Sequence, residues 1–263
     1  MKAAVFFDID NTLLAGYSFI PESTIQGIRE LRANGHYAFI CTGRSRAFVR
    51  NPQIIDIGFD GVVAGCGTHV EFQDKMVYEF LMPQEQVADC MRIIREVGFR
   101  PILEGPDALY FDYPDFDEND GFGNRLRADK SLKLEEIHDH VGPWRVNKIS
   151  CATEVDEDKY RQGMEGLGQY FDACIHNPTV VEYVPKNHSK ATGIEEVCKY
   201  LGIPRENTYA FGDSVNDLEM LKYAGTGICM GNGTEEAKAA SDYVTAELMD
   251  DGIYKGLKHF GLI

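Results

Sequence analysis

The fold is decided by a short apolar run that stops abruptly at aspartates, Lys2-Ala3-Ala4-Val5-Phe6-Phe7-Asp8-Ile9-Asp10-Asn11-Thr12. Its apolar part is typical of a buried β-strand. Similar apolar runs recur at 37–41 and 59–64, and a helical pattern separates the first two strands. Strands that alternate with helices predict parallel pairing, and therefore a layered α/β sheet.

Two local patterns refine this prediction. The first helix is predicted to begin near Ser23, where Ser23 and Gln26 form a capping-box pattern, and to stop at Gly35. After the third strand, the pattern predicts a hairpin that turns at Asp74 and Lys75.

The pattern of predicted strands and helices changes near Met82. From there to residue 185 the predicted strands come in close pairs, which is typical of an antiparallel α+β module. The alternation of strands and helices returns from Lys190, so a second domain is predicted to be inserted into the first. The predicted boundaries are 1–81 and 186–263 for the first domain and 82–185 for the insertion.

The composition excludes several classes of protein. The 263 residues carry 26 Lys and Arg against 42 Asp and Glu, so the net charge is 26 − 42 = −16. Nucleic acids and anionic membranes bind proteins through clustered positive charge, so neither is an expected partner. No apolar run approaches the ~20 residues of a membrane helix. A small molecule is the expected partner, and we expect a monomer or a weak homodimer.

The location of the protein is predicted from the N-terminus and the cysteines. The first residues turn acidic at Asp8 and lack a small-residue cleavage site, unlike a signal peptide. The seven cysteines are odd in number and never spaced as C-x-x-C, which is typical of reduced thiols. Both features predict a cytoplasmic enzyme.

Polar residues gather where the predicted strands end, and the carboxyl ends of parallel strands form the ligand-binding edge of an open α/β sheet. We therefore expect one site at this edge. Its candidate residues are Asp8, Asp10, Thr42, Gly43, Arg44, Lys190, Asp213, Asn216 and Asp217.

The chemistry of this set points to a metal and a phosphate. Four carboxylates beside one ammonium repel one another, so the cluster requires a cation. Oxygen ligands without His or Cys favour Mg²⁺ over Zn²⁺. A divalent ion beside Lys190 and loop amides forms an anion-binding site, and phosphate is the expected ligand. An aspartate there can attack phosphorus, and a second one can serve as general acid and base.

The order and spacing of four segments resemble haloacid-dehalogenase-superfamily phosphatases. The segments are Asp8-Ile9-Asp10-Asn11-Thr12-Leu13, Thr42-Gly43-Arg44-Ser45, Lys190, and Gly212-Asp213-Ser214-Val215-Asn216-Asp217. The long interval before Lys190 resembles the Cof-type branch, subclass IIB. This resemblance implies a Rossmann-like parallel-sheet core with an inserted α+β cap of the C2 type, which selects the substrate.

The resemblance also implies a role for each matching residue. Asp8 would be the nucleophile and Asp10 the general acid–base. Mg²⁺ would be held by the Asp8 side chain, the Asp10 backbone carbonyl and Asp213, and Asp217 would support the metal's waters or Lys190. The expected phosphate-binding groups are those of Thr42, Gly43, Lys190 and Asn216.

Three positions leave alternatives open. Asn11 stands where the family usually has Gly, and Asn tolerates a positive φ better than other residues do. Arg44 either contacts the substrate or pairs with a surface carboxylate. Asp217 alternatively serves near the start of the helix at Leu218, where a carboxylate favours the helix dipole.

The resulting prediction is a Mg²⁺-dependent phosphatase that hydrolyses small phosphorylated metabolites, such as sugar or cofactor phosphates, through an aspartyl-phosphate. A phosphomutase would share that intermediate and differ in what accepts the phosphoryl group. A receiver domain also uses an acidic site with a phosphoacceptor Asp, but it has no use for a large inserted domain. A phospholigand-binding protein without turnover is the remaining alternative.

Overall fold

Two β-sheets organise the chain, and the computed structural model describes residues 2–16, 19–116, 120–177 and 179–263. The described strands are β1 (Ala4–Phe7), β2 (Tyr37–Cys41), β3 (Gly61–Ala64), β4 (His69–Phe72), β5 (Lys75–Glu79), β6 (Arg100–Glu104), β7 (Leu109–Tyr110), β8 (Leu134–Glu135), β9 (Lys148–Ala152), β10 (Phe171–Asn177), β11 (Val180–Pro185), β12 (Thr208–Gly212), β13 (Thr226–Cys229) and β14 (Tyr243–Val244). The described α-helices are α1 (Glu22–Ala33), α2 (Pro52–Ile55), α3 (Gln84–Val97), α4 (Gly121–Ala128), α5 (Glu157–Leu167), α6 (Lys190–Leu201), α7 (Leu218–Tyr223), α8 (Glu235–Ala240) and α9 (Gly252–His259).

The chain divides into two compact units. Unit 1 comprises Met1–Gly43, Pro52–Glu79 and His188–Ile263, and unit 2 comprises Arg44–Asn51 and Phe80–Asn187. That these units act as a catalytic core and a substrate-selecting cap remains a prediction.

Unit 1 contains the eight-stranded sheet, in the order β14-β13-β12-β1-β2-β3-β4-β5. The strands from β14 to β3 pair in parallel, whereas β4 and β5 add an antiparallel hairpin. This confirms the predicted α/β class. The hairpin turns at Gln73 and Asp74, whose φ values are 48° and 60°. The prediction at Asp74 and Lys75 was therefore wrong by one residue.

The central strand β1 is apolar throughout because both faces of the parallel sheet are covered. Val5, Phe6 and Phe7 are completely buried. Phe6 stacks on Phe39 of β2 and Phe7 stacks on Phe211 of β12, each with ring centroids 5.1 Å apart. These contacts hold the ends of three parallel strands at the same edge of the sheet.

Helix α1 has the predicted apolar face but not the predicted cap. Pro21 is the N-cap residue and provides no side-chain cap bond, so Ser23 lies inside the helix. The Ser23 hydroxyl is buried without a partner among the described residues. The capping-box prediction was wrong because the extended backbone at Pro21 starts the helix two residues earlier. The predicted stop is present, since Gly35 follows the helix with φ at 89°.

Unit 2 contains the six-stranded sheet, in the order β10-β11-β9-β6-β7-β8. All its pairings are antiparallel except that of β7 with β8. Helices α3 and α5 pack on an apolar cluster that includes Leu103 and Ile149. The acidic stretch from Asp112 to Asp120 contains a 3₁₀ turn at Tyr113–Asp115, and Asp117 lies outside the described residues.

None of the helices in the described ranges has both the length and the apolar character needed to cross a bilayer.

Candidate active site

Two neighbouring parallel strands bring the first pair of aspartates together. Asp8 follows β1 and Asp213 follows β12, and the Asp8 backbone N–H donates to the Phe211 carbonyl at 3.0 Å. Both side chains are at least 95% buried. Thr42 follows β2 at the same edge and is buried as well.

Lys190 reaches this edge from the first turn of α6. Ser189 caps the helix, because its side chain accepts from the Thr192 backbone N–H while the Thr192 side chain accepts from the Ser189 N–H. The Lys190 side chain is 1% exposed. Its ammonium donates to Asp8 Oδ1 at 2.7 Å and to Asp217 Oδ1 at 2.5 Å. Lys190 therefore joins two carboxylates from different elements.

Close backbone packing allows α6 to start so near the sheet. Gly67 has φ at 83°, and a Cβ there would lie 2.1 Å from the Ser189 carbonyl oxygen. A Cβ on Gly193 would lie 2.3 Å from a Val63 methyl carbon. The position of Lys190 therefore depends on the absence of side chains at these two glycines.

Asp217 is held by the loop that follows β12. Its Oδ2 accepts from the backbone N–H groups of Asp213 at 2.9 Å and Ser214 at 3.0 Å. A Cβ on Gly212 would lie 2.6 Å from the Asp217 carboxyl carbon, so the approach requires glycine. Asp217 makes no side-chain cap bond to α7. Both of its oxygens instead fix the site, one through Lys190 and the other through the loop.

Two positioning residues were not singled out in the sequence. The Thr12 hydroxyl donates to Asp213 Oδ1 at 2.9 Å and is completely buried. The Asn232 side-chain amide donates to the Asn11 carbonyl at 2.9 Å. Asn11 adopts φ at 58°, the positive value that its place in the motif required. Thr12 lies within the quoted motif, but nothing in the local pattern indicates that its partner is 201 residues away.

Burial and mutual repulsion shift the pKa values of the carboxyl groups in this cluster. Burial is the main cause that raises the pKa of Asp8 to about 8, with further contributions from Asp217 and Asp10. Burial and Asp217 raise the pKa of Asp213 to about 6, against the lowering effect of the Thr12 hydrogen bond. Burial alone would lower the pKa of Lys190, but Asp217 and Asp8 outweigh it and hold that pKa well above its ordinary value.

These carboxylates fit a hard divalent cation. One oxygen from each of Asp8, Asp213 and Asp217 lies within 4.8 Å of the others. Within this cluster Lys190 provides one positive charge against three carboxyl groups, so the carboxylates outnumber the ammonium. Buried oxygens without a nitrogen or sulfur ligand in the set are the donors that Mg²⁺ prefers.

The other predicted residues differ in how they relate to this cluster. Asp10 is half-buried, and its charge acts on both Asp8 and Asp213. Gly43 is buried in the loop after Thr42. Asn216 accepts a hydrogen bond from the Ser214 hydroxyl at 2.8 Å. Arg44 belongs to unit 2, and its role stays a prediction.

Comparisons with known proteins agree with this arrangement. The family model for haloacid dehalogenase-like hydrolases matches residues 5–257. YkrA of Bacillus subtilis (strain 168) is 31% identical over 98% of both chains. The 5-amino-6-(5-phospho-D-ribitylamino)uracil phosphatase YitU of the same organism is 28% identical over 97% of this chain and 96% of its own. The HAD subclass IIB sugar phosphatase BT4131 superposes with a TM-score of 0.83 at 28% identity, over 100% of both chains.

The resemblance drawn from the motifs is thus confirmed over nearly the whole length. Since the family match spans both units and the first and last motif segments supply the carboxylates of the cluster, the chain belongs to the haloacid dehalogenase-like hydrolases, and it is one of their phosphatases.

Proposed function

We propose that this protein is a Mg²⁺-dependent phosphatase that hydrolyses small phosphorylated metabolites, sugar or cofactor phosphates, through an aspartyl-phosphate on Asp8. The observation that carries the proposal is the buried Lys190 ammonium, which joins Asp8 to Asp217 at the edge where Asp213 also lies. The phosphatase relatives, one of which is named for a phosphorylated ribityl-pyrimidine, support the choice of substrate class.

Asp8 is the proposed nucleophile. Lys190 binds its Oδ1, so we assign attack on phosphorus to Oδ2. In the first step the Asp8 oxygen bonds to phosphorus, the ester P–O bond breaks, and the departing oxygen takes a proton from the Asp10 carboxyl group. Lys190 offsets negative charge on the transferring group as it forms.

The second step returns the enzyme to its starting state. A water molecule attacks phosphorus and gives a proton to the Asp10 carboxylate, while the bond from phosphorus to the Asp8 oxygen breaks. The products are inorganic phosphate and a free Asp8 carboxylate. In this scheme Thr42, the Gly43 amide and Asn216 orient the phosphate, which brings the reacting atoms into line.

The proposed ligands of Mg²⁺ are the Asp8 and Asp213 carboxylates and the Asp10 backbone carbonyl, and Asp217 supports Lys190. A bound Mg²⁺ ion would supply positive charge for the phosphoryl oxygens. Asp8 and Asp213 both have raised pKa values because burial disfavours their charged forms, and a cation would favour those forms.

The proposal includes the setting of the reaction. The net charge of −16 favours a small substrate over a nucleic acid or an anionic membrane. The seven cysteines are free thiols, which suits a reducing compartment such as the cytoplasm.

The test is phosphate release from p-nitrophenyl phosphate and from a panel of phosphorylated metabolites, with excess Mg²⁺ or with EDTA. We expect turnover with Mg²⁺, loss of turnover with EDTA, and no turnover in Asp8→Asn. Asp250→Asn is the matched control, because that carboxylate is 73% exposed in a surface pair. Turnover that persists in Asp8→Asn would refute the aspartyl-phosphate, and a stable phosphoprotein without phosphate release would favour a phosphoacceptor.

A further inference from the structure

The loop between β13 and α8 lies outside the four motif segments, yet it contacts the backbone of two of them. It consists of residues 230–234, Met230-Gly231-Asn232-Gly233-Thr234, and we call it the Asn232 loop. The loop and all the partners described below belong to unit 1.

Backbone hydrogen bonds fix the Asn232 loop against the end of β12. The Met230 N–H donates to the Gly212 carbonyl at 2.9 Å. The Thr234 N–H donates to the Asp213 carbonyl at 2.8 Å. The loop therefore has a fixed position relative to one of the proposed metal ligands.

The two glycines that flank Asn232 allow this close packing. A Cβ on Gly231 would lie 2.7 Å from the Glu247 backbone nitrogen, and a Cβ on Gly233 would lie 2.9 Å from the Asp213 carbonyl oxygen. Both distances are too short for a side chain, so these close approaches of the backbone require glycine. The backbone of Asn232 is therefore held on both sides.

The Asn232 side chain joins two further segments. Its Nδ2 donates to the Asn11 carbonyl at 2.9 Å, and its Oδ1 accepts from the Leu248 backbone N–H at 2.8 Å. A carbonyl requires a donor and an N–H requires an acceptor, so only one orientation of the amide satisfies both partners. The Leu248 bond thus directs the amino group of Asn232 at Asn11.

Asn11 has a backbone conformation that needs support. Its φ of 58° is left-handed, which is unfavourable for a residue with a Cβ. The residue is exposed, so packing around its side chain contributes little. Its N–H donates to the Leu14 carbonyl at 2.9 Å, and its carbonyl accepts from Asn232. The Asn232 bond therefore stabilises a conformation that Asn11 by itself disfavours.

Asp10 lies between a buried residue and this left-handed one. The preceding residue, Ile9, is completely buried, and its carbonyl accepts from the Leu14 N–H at 2.8 Å. The following residue is Asn11. The backbone is therefore anchored by the core before Asp10 and by the Asn232 bond after it, and the direction of the Asp10 side chain depends on both anchors.

The direction of this side chain matters for the proposed reaction. A general acid must lie within hydrogen-bond reach of the oxygen that it protonates. A displacement of about 1 Å lowers the rate of a positioned reaction by about 100-fold. The mechanism proposed above gives this task to Asp10, so a bond that holds its neighbour acts on the departure of the leaving group.

We propose that Asn232 is a positioning residue for the general acid. By holding Asn11 in its left-handed conformation, it keeps the Asp10 carboxyl group within reach of the departing ester oxygen. This inference rests on the phosphatase function proposed above. Asn232 acts only through Asp10 in this scheme, so its effect depends on how much the leaving group needs a proton.

The first test compares kcat/KM on phenyl phosphate and on p-nitrophenyl phosphate with saturating Mg²⁺. The nitro group stabilises the departing phenolate, so p-nitrophenyl phosphate needs a general acid less than phenyl phosphate does. Asn232→Asp keeps an acceptor for Leu248 but loses the donor to Asn11, whereas Asn232→Ala loses both. Each variant should lower kcat/KM about tenfold more on phenyl phosphate than on p-nitrophenyl phosphate.

Asn34→Asp is the matched control. The Asn34 side-chain amide donates to the Leu262 carbonyl at 3.0 Å in the same unit, so the variant removes the same kind of bond elsewhere. It should leave the ratio of the two kcat/KM values unchanged. Asp10→Asn should change that ratio in the same direction as the Asn232 variants, and by more.

The outcomes separate the inference from the function on which it rests. If Asp10→Asn changes the ratio but folded Asn232 variants do not, the inference is overturned and the phosphatase function stands. An unchanged ratio in Asp10→Asn would refute Asp10 as the general acid, and the inference with it. No turnover by the unaltered protein, on these esters or on the metabolite panel, would refute the phosphatase function itself.

The second test combines Asp10→Asn with Asn232→Ala. Once the Asp10 carboxyl group is gone, Asn232→Ala should lower kcat/KM on phenyl phosphate by less than about twofold, because residues that act as a unit are not additive. Losses that multiply in the double variant would show that Asn232 acts elsewhere, and would overturn the inference. Asn232→Asp retains the Leu248 bond, so it replaces Asn232→Ala in both tests if the alanine variant does not fold.

Discussion

At the scale of single residues, the same side-chain type serves different purposes because its surroundings differ. Asp8 and Asp217 both accept from the Lys190 ammonium, but Asp217 also accepts from two backbone N–H groups. Asp213 accepts from the Thr12 hydroxyl. Environments of this kind separate the roles of neighbouring carboxylates in enzymes. The division supports Asp8 as the reacting group and Asp217 as the group that holds Lys190.

The proposed roles of Asp10 and Asp213 predict that their amide variants affect different quantities, kcat for Asp10 and the Kd for Mg²⁺ for Asp213. Asp10→Asn should lower kcat by about 10²–10⁴-fold, because it removes a general acid–base. Its apparent Kd for Mg²⁺ should change little, since only the backbone carbonyl is a proposed ligand. Asp213→Asn should weaken Mg²⁺ binding about 100-fold, since it removes a proposed ligand.

Titration of turnover against Mg²⁺ concentration measures both quantities in each variant. Asp250→Asn, with its exposed carboxylate, serves as the reference for an Asp-to-Asn change that should alter neither. Equal losses of Mg²⁺ affinity in the Asp10 and Asp213 variants would show that the roles are misassigned.

The candidate cluster was predictable in its charged members and not in its supporting contacts. Asp8, Asp213 and Lys190 stand at the ends of strands or the start of a helix, and the strand pattern locates those points in the sequence. Thr12 was missed because its hydrogen bond joins residues 201 positions apart. A contact that forms only through tertiary structure has no signal in the neighbouring sequence.

At the scale of elements, the buried parallel strands were predicted, whereas some short elements were not. The parallel strands β1, β2 and β12 carry continuous apolar runs that fit a sheet covered on both faces. Helix α4 and the two-residue strand β8 were not predicted, because few residues carry too weak a periodicity. The wrong cap prediction at Ser23 shows that the backbone conformation at the nearby Pro21, rather than the side-chain pattern, determines where the helix begins.

The start of α6 depends on Gly67, and this leads to a stability prediction. Gly67→Ala adds a Cβ 2.1 Å from the Ser189 carbonyl oxygen, in a residue with φ at 83°. We expect the free energy of unfolding to fall by about 3 kcal/mol, from overpacking and left-handed strain together. The value of kcat should also fall by about 10²-fold, because Lys190 follows Ser189 and a small displacement misaligns it.

Gly35→Ala separates these two causes. Gly35 has a comparable φ of 89°, but nothing lies within 4 Å of the added Cβ. It should therefore cost only about 1 kcal/mol, from the left-handed conformation, and leave kcat unchanged. Urea unfolding gives both free energies, and equal losses in the two variants would argue against close packing at Gly67.

At the scale of the whole molecule, the order of the motifs along the chain was the main basis for predicting an inserted second domain. The eight-stranded sheet of unit 1 is assembled from segments on either side of the inserted residues, and its strands β1 and β12 are neighbours. The return of the βα pattern at Lys190 predicted that the segments on either side of the insertion share one sheet, but not which of their strands are neighbours. The side-chain contacts within unit 2 were less accessible, because contacts such as that between Ser45 and Glu104 join residues 59 positions apart.

The acidic cluster also affects the stability of the molecule as a whole. The pKa values of Asp8 and Asp213 are raised by burial to about 8 and about 6, above the ordinary value of 3.8. Between these values and 3.8 the folded protein holds more protons than the unfolded chain does. Stability from these groups is therefore present below about pH 4 and is lost as the pH rises through the folded pKa values.

Mg²⁺ should reverse this loss, because it binds the deprotonated carboxylates of the folded protein and stabilises that state by mass action. We expect Mg²⁺ to raise the melting temperature over the EDTA-treated protein, with a larger increase at about pH 8 than at about pH 5.5, where protons compete with the metal. Differential scanning fluorimetry at the two pH values measures both increases. Asp213→Asn should remove most of the increase at the higher pH, whereas Asp250→Asn should keep it. An increase of equal size at both pH values would mean that Mg²⁺ binds away from the buried carboxylates, and the proposed metal site would have to be abandoned.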